Sequence, residues 1–165
     1  LIVMHPDLEA LAAVGMAEGV GHVVLAGGIP ARALIQRLDE RGIRVMGFAP
    51  SLALGRRLVK QGVKAIVIEG SEAGGHIGPV STSVLAQEIL PHLNEVPVFV
   101  AGGIGHGDAI AAYLTMGASG VQMGTRFVCA SESIAHPAFK QAFVRASARC
   151  TSISWSSRAR EAAWS

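Results

Sequence analysis

The chain has little charge and no concentration of it. Asp, Glu, Lys and Arg make up 16% of its 165 residues, the formal net charge is +2, and the basic residues are scattered. With no Lys/Arg block to track a phosphate backbone, nucleic acid is not an expected partner. There are two cysteines, Cys129 and Cys150. They have neither metal-ligand spacing nor a disulfide framework, which suits a reducing compartment and predicts no metal site. No apolar run approaches the roughly 18 residues that would cross a bilayer, and no leader pattern is evident. A cytoplasmic protein without membrane segments is the expectation. Aromatics are also scarce, at 5%.

What is present is apolar and rich in glycine. Half of the residues are hydrophobic and 20 are Gly, which suits parallel α/β architecture with many sharp turns between strands and helices. Five short apolar runs recur: HVVLAGG (22–28), RVMGFAP (44–50), KAIVIEG (64–70), VPVFVAGG (96–103) and SGVQMGTRF (119–127). Each has strand length and is rich in aliphatic residues on both faces. Between them lie PARALIQRLDERG, SLALGRRLVKQG, PVSTSVLAQEILPHL and GDAIAAYLTMG. Their apolar positions fall three and four apart, and three of the four end in Gly. In the first, Ala33, Leu34 and Leu38 form the predicted buried stripe, with Arg32, Gln36, Asp39 and Arg41 outward.

Strand, helix, strand with short links predicts right-handed βαβ units. A doubly wound sheet and a (β/α)8 barrel both satisfy that pattern. A barrel needs about 250 residues, so five units correspond to its C-terminal portion. The opening, LIVMHPDLEALAAVGMAEGV, reads as mid-domain sequence. The last stretch, TSISWSSRAREAAWS, is irregular and holds both tryptophans. Residues 1–150 are therefore expected to form one partial domain, and 151–165 a tail foreign to it.

Three strand ends carry the chemistry: SEAGGHIG, AGGIGHGD and MGTRF. In a barrel all three lie on the C-terminal rim, where active sites form. Gly102 and Gly103 can bring backbone N–H groups up to a phosphate, with a helix beginning near Asp108 pointing its positive end the same way. Gly124 and Thr125 can do the same from the next strand. A Gly-Gly pair alone often only turns the chain, but the two motifs together, at the ends of adjacent strands, favour a phosphorylated cofactor. No GxGxxG is present, so a Rossmann turn is not indicated.

His76 follows Gly74 and Gly75, whose missing side chains leave space for a flat ring. An imidazole titrating near neutrality suits removal of a proton from a weak carbon acid. Glu72 either orients it or faces solvent. His106 sits in the turn before a helix, His136 precedes Pro137 in a structural turn, and His5, His22 and His92 are peripheral.

The stretches EGSEAGGHIG, PVFVAGGIGHGDAIAAYLTMGASGVQMGTRFV and SESIAHPAFK strongly resemble the nitronate monooxygenases, formerly called 2-nitropropane dioxygenases. They equally resemble the FMN-dependent enoyl-[acyl-carrier-protein] reductases II. The likeness runs from about residue 20 to about residue 150. It implies an FMN-binding TIM barrel with Gly74 and Gly75 near the flavin, and Gly102, Gly103, Gly124 and Thr125 on its phosphate. It also implies His76 as the catalytic base. The chain has no counterpart to the family's first strands, which bear a further flavin contact. Its first strand is thus expected to show an unpaired edge, and the isolated polypeptide to be an inactive fragment.

For the whole enzyme the resemblance implies oxidation of alkyl nitronates with O2. The alternative is NAD(P)H-dependent reduction of an enoyl thioester. A phosphate-sugar isomerase or synthase barrel would need acids or lysines at strand ends, where only Glu69 and Glu72 qualify.

Overall fold

A computed structural model describes residues 1–74 and 78–146. Its elements alternate: α1 (Leu8–Ala17), β1 (His22–Leu25), α2 (Arg32–Asp39), β2 (Arg44–Phe48), α3 (Leu52–Lys60), β3 (Ala65–Glu69), α4 (Thr82–Ile89), β4 (Val98–Ala101), α5 (Gly107–Thr115), β5 (Gly120–Gln122), α6 (Thr125–Val128) and α7 (Pro137–Arg145). Two compact units divide the chain, the first through Gln122 and the second from Met123.

The five strands form one sheet in the order β1-β2-β3-β4-β5, and every pair is parallel. That order settles the choice of architecture. Right-handed crossovers between strands that never reverse direction across the sheet put every helix on the same face, as in a barrel. A doubly wound sheet requires a reversal. The chain therefore forms five consecutive strands of a (β/α)8 barrel, as its sequence predicts.

The helix-facing side of the sheet is the core. Register aligns Leu25 with Gly47, Gly47 with Ile66, and Ile66 with Val98, so these positions share one face. They pack beneath Leu34, Ile35, Leu38, Leu58, Leu85 and Ile89, all nearly inaccessible to solvent. Gly47 makes room for a helix: a Cβ there would lie 3.2 Å from Cδ1 of Leu58. In α2 the buried stripe is Leu34, Ile35 and Leu38, while Ala33 is exposed. The stripe begins one residue later than the sequence predicts, because Ala33 and Ile35 flank Leu34 and the larger side chain takes the core position.

The opposite face carries Val24, Met46, Val67, Phe99 and Gly120, by the same register. Burial on both faces, expected for every strand, is complete in the middle of the sheet, where Ala65 to Ile68 are all buried. In β1 burial alternates instead, and Val24 is 37% exposed. This face is the one a closed barrel fills with layers of side chains.

Two sequence expectations are corrected here, the extent of the fifth strand and the bare edge of the first. The strand expected over 119–127 ends at Gln122, and Thr125–Val128 is a helical turn. LIVMHPDLEALAAVGMAEGV folds into a pairing segment and α1. The outer edge of β1 is not bare: Ile2 bridges Ala26 in parallel, Val3 N–H donates to the Ala26 carbonyl at 2.7 Å, and Ala26 N–H donates to the Leu1 carbonyl at 2.9 Å. Strand edges recruit such partners because their backbone groups are otherwise unsatisfied. The turns that follow α2, α3 and α5 close at Gly42, Gly62 and Gly117, each with positive φ, the glycines predicted to end these segments.

In the second unit, α7 starts at Pro137 and is capped by Nδ1 of His136, which accepts from Ala138 N–H at 3.2 Å. Phe139 and Phe143 stack edge to face at 4.9 Å, and Lys140 donates to the Ala130 carbonyl at 2.7 Å. The segment 151–165 lies outside the described residues.

Candidate active site

A cleft of about 480 Å³ opens at the C-terminal ends of β1, β2 and β3. Its walls are mostly apolar or backbone: Ile2, Gly28, Phe48, Pro50 and Leu54 among them. Glu69, the last residue of β3, supplies an ionisable group. Burial pushes the Glu69 carboxyl above the ordinary carboxylate range. Gly74 and Gly78 also line the cleft. Gly75, His76 and Ile77, the three residues between them, lie outside the described residues.

Among the described residues, nothing stands within 4 Å of the position a Cβ on Gly74 would take, so none of them requires a glycine here.

Gly102 and Gly103 follow β4 with φ of 102° and 71°, backbone that L side chains rarely adopt. Both are also hemmed in. A Cβ at Gly102 would meet Oγ1 of Thr82 at 2.9 Å and the nitrogen of Ala73 at 3.0 Å, and one at Gly103 would meet Cβ of Glu72 at 3.1 Å. These glycines thus serve close approach between the β3–α4 loop and the β4–α5 turn. The turn leads into α5, with exposed His106 at the N-cap position and no side-chain cap bond. Among the described residues, none accepts a hydrogen bond from the backbone N–H groups of residues 102 to 106. Partnerless amides at a helix N-terminus fit an anionic group such as a phosphate.

Gly124 and Thr125 belong to the second unit, where Gly124 is the N-cap residue of the four-residue α6. Phe127 and Val128 donate to the Gly124 carbonyl. The structure therefore offers these two residues as the start of a helical turn, in place of the strand end expected from sequence.

Glu72 is exposed, as one of the two sequence expectations has it, but its carboxylate is hydrogen-bonded. Its Oε2 accepts from Thr82 N–H at 2.8 Å and lies 2.9 Å from the Thr82 hydroxyl. Partial burial pulls its pKa up, but these bonds, its own amide and the Ser71 hydroxyl outweigh that and hold it below the ordinary range. Tyr113 of α5 is pushed up by burial and then by the Glu72 charge. Sequence reasoning missed Thr82; a buried polar residue (1% exposed) at the first turn of a helix gives no pattern of its own.

Five consecutive parallel strands with a glycine-lined cleft at their C-terminal ends define a (β/α)8-barrel class. More specifically, the sequence model of the nitronate monooxygenase family matches residues 8–162, and the chain belongs to that family. It is 38% identical over 119 residues to a 5-hydroxy-7a-methyl-1-oxo-octahydro-1H-indene-4-carboxyl-CoA dehydrogenase of Mycobacterium tuberculosis, covering 71% of this chain and 34% of that protein. The structure of FabK from Thermotoga maritima superposes with a TM-score of 0.85 at 40% identity, covering 89% of this chain and 47% of FabK. A nitroalkane oxidase from Streptomyces ansochromogenes superposes with a TM-score of 0.75 at 32% identity, covering 81% and 42%. The chain thus spans between a third and a half of the length of these relatives. Among the described residues, no helix is long and apolar enough to cross a membrane.

Proposed function

We propose that the chain is part of a cytoplasmic FMN enzyme that oxidises alkyl nitronates with O2, with residues 1–150 contributing to the flavin-binding domain. The observation that carries this reading is that Gly74 and Gly78, the residues bracketing His76 in sequence, both line the cleft. Membership of the nitronate monooxygenase family supports it.

In this reading FMN, when bound, supplies the redox chemistry, accepting electrons from the substrate carbon and passing them to O2. The residues of the chain bind, orient and move a proton. The amides of Gly102 and Gly103 hold the phosphate, and α5 adds its positive end. The family resemblance gives Gly124 and Thr125 the same phosphate role, which separate substitution tests. Gly74 and Gly75 leave space for the flavin ring. Apolar walls from Phe48, Pro50 and Leu54 exclude water. His76 takes the proton from the α-carbon of a neutral nitroalkane, or holds an anionic nitronate when protonated.

The test is His76→Asn in the FMN-loaded enzyme. Nitroalkane turnover should vanish while oxidation of preformed nitronate falls much less. Equal loss on both substrates would remove the base role.

Glu69 and the FabK likeness favour a second reading, FMN-dependent reduction of an enoyl thioester by NAD(P)H. A carboxylate in a mostly apolar cleft opposes an anionic nitronate and tolerates a neutral thioester. Fast anaerobic bleaching of the flavin by NADPH, with enoyl thioester turnover, would select this reading. A flavin that stays oxidised under NADPH would select the first.

A further inference from the structure

The loop between β3 and α4 is fastened at its base. Ser71 N–H donates to the Val80 carbonyl at 2.9 Å, and one residue on, Glu72 reaches the first amide of α4 through Thr82. Ser81 stands at the N-cap position of α4 but makes no side-chain cap bond; its hydroxyl pairs with Ser83 instead, at 3.3 Å. Glu72 therefore does the capping from ten residues upstream. A carboxylate is well matched to that place, because the helix start presents free N–H groups and a positive end.

The fastening extends to the next strand. The Thr82 hydroxyl lies 2.9 Å from Glu72 Oε2 and 3.3 Å from the carbonyl oxygen of Ala101, the last residue of β4. Its single proton serves one acceptor at a time, and the shorter contact is to the carboxylate. Gly70, Gly102 and Gly103 close the packing around this pair. A Cβ on each would meet, respectively, the Thr82 backbone at 2.2 Å, Oγ1 of Thr82 at 2.9 Å and Cβ of Glu72 at 3.1 Å.

We infer that Glu72 is a positioning residue: held by Thr82, its carboxylate locks the base of the loop that bears His76 to the Gly102–Gly103 turn, so that the two rim segments hold one relative geometry. Its relevance to flavin binding rests on the function proposed above, whereas the locking itself does not. Glu72 touches no reacting atom in this scheme. It acts through the segments it joins.

Hydrogen exchange read by mass spectrometry tests the lock without any cofactor, on Glu72→Ala, Glu72→Gln and Thr82→Val. Glu72→Ala should speed exchange in peptides covering both 70–74 and 98–101, the hydrogen-bonded strand end from which the Gly102–Gly103 turn leaves, with the melting midpoint of the sheet unchanged. Glu72→Gln keeps an acceptor for Thr82 but loses the charge, and should recover part of the protection in both peptides. Thr82→Val, which keeps the side-chain shape, should loosen the same two peptides. FMN titration then reads the consequence: affinity about tenfold weaker in Glu72→Ala, as loss of one hydrogen bond to a charged group brings, and recovered in part in Glu72→Gln. Faster exchange confined to 70–74, or spread over the whole sheet, would overturn the inference. So would a Glu72→Gln protein as loose as Glu72→Ala. Should the parent chain bind no FMN, the exchange results still decide the lock, and only the flavin reading falls.

Discussion

Gly70 lies against the backbone of Thr82 so closely that a methyl group on its Cα would sit 2.2 Å from the Thr82 nitrogen and 2.4 Å from its Cα. Backbone cannot swing aside as a flexible side chain can, so any substitution must push the end of β3 away from α4. Gly70→Ala is expected to destabilise by about 1–3 kcal/mol, the usual cost of overpacking a tight site. Urea unfolding checks it. A midpoint equal to that of the parent would mean that the strand end and the helix start are not held this close.

Gly74 is the informative contrast. It sits four residues further along the same loop, yet a Cβ there would meet nothing within 4 Å among the described residues. Gly74→Leu should therefore leave the unfolding midpoint within about 0.5 kcal/mol of the parent, as exposed substitutions usually do. If the space beside it is where the flavin ring lies, the same substitution should weaken FMN binding at least tenfold, measured by flavin fluorescence. Intact affinity in Gly74→Leu would move the ring elsewhere.

The strands and three of the helix ends were legible because they depend on local pattern: aliphatic runs of strand length, stripes at three and four, and a glycine after the last turn. Strand periodicity alone left the barrel as one of two options; the family resemblance pointed to it, and strand order excludes the other. What the sequence hid was long-range. Nothing local marks Glu72 as the cap of a helix ten residues away, since the position-appropriate Ser81 stands in the way. The Gly102–Gly103 pair was read for its free amides, but its glycines also answer to Glu72, Ala73 and Thr82. Thr125 falls inside the aliphatic run SGVQMGTRF, whose length predicts one strand, whereas β5 ends at Gln122 and Gly124 is the N-cap residue of α6. His76 and Gly75 carry the strongest chemical expectation and lie outside the described residues.

Glu69 should give stability an unusual pH dependence. Its folded-state pKa is raised by burial, so the ionised form is disfavoured by folding. The cost is present above the folded pKa and is relieved as pH falls through it toward the unfolded value. Glu69→Gln removes the charge at all pH values. The variant should melt higher than the parent at pH 7–8, and the difference should shrink as pH falls into the range where both forms of the parent are protonated. A variant that melts lower at pH 7–8 would mean that the carboxylate has a stabilising partner.

Glu72 predicts the opposite sign. Its pKa is depressed in the folded chain because Thr82 and Ser71 donate to the ionised form. Its contribution is therefore complete above the unfolded carboxylate value of 4.5 and is lost as pH falls through the lower folded value. The group is largely exposed, so the effect on global stability is small and local protection is the better probe. Exchange rates of residues 70–74, corrected for the intrinsic pH effect, should rise in the parent below pH 4.5 and stay level in Glu72→Gln. The two mutants Glu69→Gln and Glu72→Gln thus change the acid limb in opposite directions from carboxylates three residues apart. The reason is environmental: one carboxylate faces an apolar cleft and the other a helix start, and parallel behaviour of the two would contradict the placement of both.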